Sequence, residues 1–206
     1  AFLLPVLHQM VGSERGVIRV LVLTPTRELA LQIDEQALAL GYHLGFSSVS
    51  IIGGTKMLPQ EDAIRSGVEI LVATPGRLMD HMKKGYLDLG TVEYLILDEA
   101  DRMFDMGFLP DVHTIVSRLP KTRQTLLFSA TMPPKVRKLA DSILRDPAVV
   151  AVDPSKPSET LEHWAFSVSQ ARKAALLGEL LDYDEMASVI VFVKRKSEAD
   201  RLARKV

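Results

Sequence analysis

Cysteine is absent from the 206 residues, which excludes disulfides, thiolate catalysis and Cys-ligated zinc. Histidine is sparse, and the five (His8, His43, His81, His113, His163) lack the close pairing a zinc site needs. No apolar run approaches the length of a membrane span. An excess of one charge is missing too: 25 Lys and Arg against 26 Asp and Glu give a net charge of -1. That rules out a histone-like basic binder, so any contact with nucleic acid must come from local patches. The opening Ala1-Phe2-Leu3-Leu4-Pro5-Val6-Leu7 carries no charged leader or signal-peptide cleavage site. The last residues, Lys205-Val206, fall inside a charged amphipathic pattern, so the chain reads as an excerpt of a longer cytoplasmic protein. What is present is an ordinary 47% apolar content, enough for one large domain or for one domain and part of another.

Apolar runs recur at 17–23, 47–52, 69–73, 92–97, 125–128, 149–152, 164–168 and 189–193. Amphipathic stretches separate them, as with Leu29, Ile33, Ala37 and Leu40, spaced three or four apart. Strand–helix alternation of this kind predicts an α/β fold, a parallel sheet with crossover helices. The segment Asp153-Pro154-Ser155-Lys156-Pro157-Ser158 has the composition of a linker. The boundaries that follow are a first domain over 1–152, a linker over 153–159 and a second unit over 160–206. That second unit has room for only two strands and two helices. His113 and Trp164 read as packing residues.

Chemistry concentrates where strands end. Leu95-Ile96-Leu97 runs into Asp98-Glu99-Ala100-Asp101, which places adjacent acids at the carboxyl end of a buried strand. Open α/β sheets bind ligands there. Adjacent acids suit a division of labour, one holding a metal-bound phosphate and the other orienting a water. A solvated acidic turn would look the same. Thr24-Pro25-Thr26-Arg27 and Thr74-Pro75-Gly76-Arg77 each follow a buried strand. In both, Thr sits where an N-cap is wanted and Pro at the expected first helical position. An Arg in the first turn opposes the helix dipole unless an anion is bound there, so the repeated pattern points to phosphate. Gly53-Gly54 follows another strand and permits a turn or a close ligand approach. Ser129-Ala130-Thr131 ends a further strand, and its hydroxyls can bridge to Asp98 or Asp101 if the strands are neighbours; simple N-capping is the other reading. Pro133-Pro134 opens the next helix.

Asp98-Glu99-Ala100-Asp101 resembles the box after which the DEAD-box ATP-dependent RNA helicases are named. Pro25-Thr26-Arg27-Glu28-Leu29, Gly53-Gly54, Thr74-Pro75-Gly76-Arg77 and Ser129-Ala130-Thr131 are similar to the family's other motifs, in order. Val189-Ile190-Val191-Phe192-Val193 resembles a strand motif of its second domain. The resemblance covers essentially the whole chain. It implies a RecA-like parallel sheet of the P-loop NTPase type with helices on both faces, followed by the start of a second RecA-like domain. It also implies ATP and Mg2+ as cofactors and RNA as partner, gripped without sequence preference. Asp98 would bind magnesium, through water, and Glu99 would polarise the attacking water. Ser129, Thr131 and Asp101 would link nucleotide state to domain closure. Pro25, Thr26, Arg27, Gly53, Gly54, Thr74, Pro75, Gly76 and Arg77 would contact the sugar-phosphate backbone.

The chain also departs from the family pattern. It contains no G-x-x-x-x-G-K-[ST] loop, no adenine-reading glutamine motif and none of the second-domain arginines. Ala1-Phe2-Leu3-Leu4-Pro5 resembles the helix after that loop. Charge-assisted hydrogen bonds contribute about 1.5–3 kcal/mol each, so losing three costs at least about a thousandfold in affinity. The 206 residues alone are therefore expected not to bind ATP measurably. Loss of the strand before the loop is expected to leave a gap inside the sheet. Two other readings are open. One is an ATPase-inactive RNA clamp or scaffold. The other is a metal-dependent hydrolase or nuclease using Asp98, Glu99, Asp101 and Asp105.

Overall fold

The computed structural model describes residues 2–151, 162, 164–183 and 188–205. Chain packing divides it into two units, Ala1–Val149 and Val150–Val206. Unit 1 contains strands β1 (Val20–Leu23), β2 (Ser48–Ile51), β3 (Ile70–Ala73), β4 (Tyr94–Leu97) and β5 (Gln124–Leu127). Its helices are α1 (Leu3–Gln9), α2 (Arg27–Gly41), α3 (Met57–Arg65), α4 (Pro75–Lys83), α5 (Ala100–Asp105), α6 (Leu109–Val116) and α7 (Pro134–Ile143).

The five strands form one sheet in the order β2-β3-β1-β4-β5, and all four pairings are parallel. Apolar side chains alternate between its faces, as the two-residue period of a strand requires. Leu21, Leu23, Leu71, Leu95 and Leu97 face one core with Leu78, Met103, Val112, Ile115, Val136 and Leu139 from α4 to α7. Val20, Val22, Val72 and Ile96 face the other with Val6 and Leu7 of α1 and Ala30, Ile33 and Ala37 of α2. Helices thus cover both faces, and β1 and β3 are buried along their whole length, the burial pattern of a doubly covered parallel sheet.

Several expectations need correction. No gap interrupts the described sheet, because β1 pairs on both sides and β4 joins it to β5. β5 is instead an edge strand, and Gln124 on it is exposed. The buried stripe of α2 ends at Gly41 rather than at Leu40, which is 39% exposed. The runs 149–151, 164–168 and 189–193 form no strand. A strand needs a partner for its backbone N–H and C=O groups, and none of these runs finds one among the described residues. Unit 2 contributes two described helices, α8 (Lys173–Leu181) and α9 (Lys196–Ala203). Trp164 is 77% exposed and His113 is exposed, so neither packs as expected. The linker at 153–159, His163 and the first residues of the second unit lie outside the described residues.

Candidate functional site

The strand register decides what meets at the carboxyl edge of the sheet. Ile51 aligns with Ala73, Ala73 with Leu23, Leu23 with Leu97 and Leu97 with Leu127, so all five strands end level. Every motif singled out in the first domain therefore lies on one edge. Gly53-Gly54, Thr74–Arg77 and Thr24–Arg27 occupy the half at β2, β3 and β1. The box and Ser129–Thr131 occupy the half at β4 and β5.

On the β4–β5 half, the Asp98 amide donates to the Leu23 carbonyl at 2.9 Å, which continues the ladder one residue beyond the strand. The Asp98 carboxyl is half-buried and accepts from the Glu99 amide at 3.0 Å. Burial pushes its pKa up, and the amide only partly offsets this. Such a carboxyl is an anion in want of a counter-charge. Glu99 caps α5 in the left-handed region, at φ 52° and ψ 52°. A glutamate there is strained, and strain of this kind concentrates at working sites. Its Oε2 is buried without a hydrogen-bond partner among the described residues. Arg102 Nη1 stands 3.6 Å from it, beyond hydrogen-bond range.

The expected bridge between strand ends forms at Asp101, not at Asp98. The Asp101 amide donates to Ser129 Oγ at 3.1 Å, and Ser129 Oγ donates to the Thr131 carbonyl at 2.6 Å. The Thr131 amide and hydroxyl both donate to Asp101 Oδ2 at 2.8 Å. Burial raises the Asp101 pKa, but the donors from Thr131, Arg102 and Ser129 outweigh it and hold the carboxyl below its usual range.

On the other half the two Thr-Pro-x-Arg turns differ. In the second, Thr74 is the N-cap of α4 and Pro75 its first residue, as expected, although the Thr74 side chain makes no capping bond. In the first, Thr26 rather than Thr24 is the N-cap of α2; its hydroxyl accepts from the Leu29 amide at 3.3 Å. Thr24 is fully buried, its amide bonded to the Ala73 carbonyl at 3.0 Å, and Pro25 lies before the helix.

The arginines differ as well. Arg27 rests its guanidinium against Gly53-Gly54, where a Cβ at Gly54 would overlap it. Gly54 also has φ +76°, a conformation that favours glycine. Arg27 is exposed, and among the described residues its guanidinium makes no hydrogen bond or ion pair. Arg77 is turned inward. Its Nε donates to the Ile52 carbonyl at 2.9 Å and its Nη2 to the Thr55 carbonyl. The two arginines are therefore not equivalent in their surroundings: Arg27 makes no hydrogen bond among the described residues, whereas Arg77 anchors the glycine turn through Nε and Nη2.

The sequence reading missed the buried support beneath that turn. Gln60 of α3, 8% exposed, hydrogen-bonds the Ile52–Thr55 loop, and His81 of α4, 0% exposed, stands behind it against Gln60 Oε1. Polar residues at the buried positions of otherwise amphipathic helices were the available signal. Among the described residues no three His, Asp or Glu side chains group to hold a metal, so Asp98, Glu99, Asp101 and Asp105 make no metal cage. Nor is any described helix long and apolar enough to cross a membrane.

The family model for the DEAD/DEAH box helicases matches residues 1–139. A Homo sapiens protein named as a probable ATP-dependent RNA helicase, DDX23, is 39% identical over 98% of this chain and 28% of its own length. The DEAD-box ATP-dependent RNA helicase RhpA of Helicobacter pylori is 38% identical over 98% of this chain and 41% of its own. The chain thus spans well under half the length of either relative. The crystal structure of a DEAD box protein from Methanococcus jannaschii superposes with a TM-score of 0.69 at 35% identity, over 98% of this chain and 54% of that one. Its fold, like the sheet described above, is α/β of the RecA-like kind. The chain belongs to the DEAD/DEAH box helicase family.

Proposed function

We propose that the full-length protein is an RNA-dependent ATPase that grips one RNA strand by its sugar-phosphate backbone and separates short duplexes in the cytoplasm. The observation that carries this reading is the shared carboxyl edge: nucleotide-type acids on its β4–β5 half, and paired glycines with an exposed arginine on its β2–β1 half.

Asp98 and Glu99 suit Mg2+ and ATP. Magnesium takes one or two carboxylates, waters and substrate phosphates rather than an all-protein cage. A half-buried Asp98 with one amide donor and a Glu99 oxygen without a hydrogen-bond partner among the described residues fit that pattern. Bound Mg2+·ATP would supply the phosphoryl group and the charge that orients it. Asp98 would hold the metal through water, and Glu99 would accept a proton from the attacking water. Asp101, Ser129 and Thr131 link the ends of β4 and β5, so a shift at the acids would be felt along β5. In this proposal residues 160–206 begin a second RecA-like domain whose closure completes the site.

For RNA, Thr26, Arg27, Gly53, Gly54, Thr74 and Gly76 offer N–H groups, hydroxyls and one guanidinium along a single edge, with Pro25 and Pro75 shaping the turns. Arg77 contributes through the loop it holds. Such groups meet phosphate and ribose and read no base. Phosphate release by the full-length protein, with and without unrelated RNA sequences, tests the reading. Comparable stimulation by each RNA is expected; hydrolysis indifferent to RNA would overturn it.

A further inference from the structure

Beneath the glycine turn lies a polar relay with no place in the chemistry above. Gln60 Nε2 donates to the Ile52 carbonyl at 3.1 Å and also bonds Thr55 Oγ1. The Ile52 carbonyl accepts from Arg77 Nε and from the Thr55 hydroxyl as well, so three donors converge on it and it is fully engaged. With the Gln60 amide nitrogen turned to the loop, its Oε1 faces His81 Nε2 at 3.3 Å. His81 must then carry its proton on Nε2 and accept the Tyr86 hydroxyl at Nδ1. Arg77 and His81 are one turn apart on α4, so one helix face holds both ends of the relay. Gln60 is 8% exposed and His81 fully buried, while Gly54 on the loop is exposed. A buried polar network of this sort, with every member satisfied, fixes geometry more than it adds stability.

We propose that Gln60 and His81 are positioning residues for RNA binding, a buried relay that sets the place of the Ile52–Thr55 loop against the Thr74–Arg77 turn. The relay makes two motifs, separated by β3 in sequence, act as one rigid surface. This rests on the RNA-gripping reading of Gly53-Gly54.

The test uses the full-length protein with Gln60→Met, which keeps volume and removes the bonds to the loop and to His81, and with Tyr86→Phe, which removes only the outermost bond. RNA-stimulated hydrolysis and anisotropy of a labelled single-stranded RNA are read beside thermal unfolding. For Gln60→Met the RNA KM and Kd should rise about tenfold, the loss of roughly 1.4 kcal/mol. The ATP KM should stay put and kcat at saturating RNA should remain within twofold. Tyr86→Phe should shift RNA affinity in the same direction, by less. Two results would overturn the proposal: unchanged RNA affinity in a folded variant, or a parallel fall in kcat and affinity with the folded fraction. Should Gln60→Met fail to fold, Tyr86→Phe decides by the same criteria. Arg27→Ala separates the two levels. If it too leaves RNA affinity unchanged, the gripping surface itself is wrong; if it weakens binding while the relay variants do not, only the relay is.

Discussion

Thr131 holds Asp101 twice, its amide and its hydroxyl both donating to Oδ2 at 2.8 Å. With Ser129 closing the ring, the ends of β4 and β5 are joined through side chains where the sheet ladder has stopped. Burial works against ionisation of Asp101, and these donors overcome it. A carboxyl held below its ordinary value of 3.8 stabilises the fold above that value and loses the contribution as pH falls through the folded-state pKa. Thr131→Val keeps the shape and removes one donor. The Asp101 pKa, followed by NMR, should rise, and acid unfolding should begin at higher pH. An unmoved Asp101 titration would contradict the bond.

Glu99 holds a backbone conformation unfavourable for a non-glycine residue. Its left-handed backbone costs a non-glycine residue roughly 1–2 kcal/mol. Glu99→Asn, which tolerates this conformation, should raise the unfolding free energy by about 1 kcal/mol while abolishing hydrolysis. Denaturant unfolding checks this, and a destabilised Asn variant would show that the conformation carries no strain.

Arg27 and Arg77 should separate in their effects. Arg27→Ala should weaken RNA binding alike for all sequences and lower the salt dependence by about one unit, with little change in stability. Arg77→Ala should cost about 2 kcal/mol of stability as well, because two loop carbonyls lose a charged donor. Salt titrations of RNA affinity, paired with unfolding curves, distinguish the two. Equal stability losses would contradict the assignment.

His81 makes stability depend on pH. Burial, then the positive charges of Arg77 and Lys84, push its pKa down despite Glu61 and Asp80. The unfolded imidazole therefore takes a proton first. Stability should be constant above the ordinary value of 6.5 and fall as pH drops below it, by up to about 1.4 kcal/mol per pH unit, until the folded-state pKa is reached. His81→Gln should flatten that slope. Equal slopes with and without the imidazole would place the ionisation elsewhere.

The fold was legible where apolar runs were short and flanked by turn residues, as at Leu95–Leu97 and Ile70–Ala73. It was misread where a run finds no pairing neighbour among the described residues, as at 164–168 and 189–193, because pairing is not a local property. The site was legible as a set of motifs, and the level strand ends assemble them. The direction of each side chain was not. Thr-Pro-x-Arg reads alike at Arg27 and Arg77, yet one guanidinium rests against Gly53-Gly54 and the other binds carbonyls 22 and 25 residues away in sequence. Gln60 and His81 look like ordinary polar residues until α3 and α4 bring them under one loop.

The central claim is that Glu99 acts on the attacking water at an RNA-dependent ATPase site. It is tested most directly by phosphate release from full-length Glu99→Gln, beside nucleotide and RNA titrations. The amide keeps the size and the strained backbone but cannot take a proton. The expected result is loss of RNA-stimulated hydrolysis with ATP and RNA affinities retained. Turnover equal to that of the unaltered protein would contradict it.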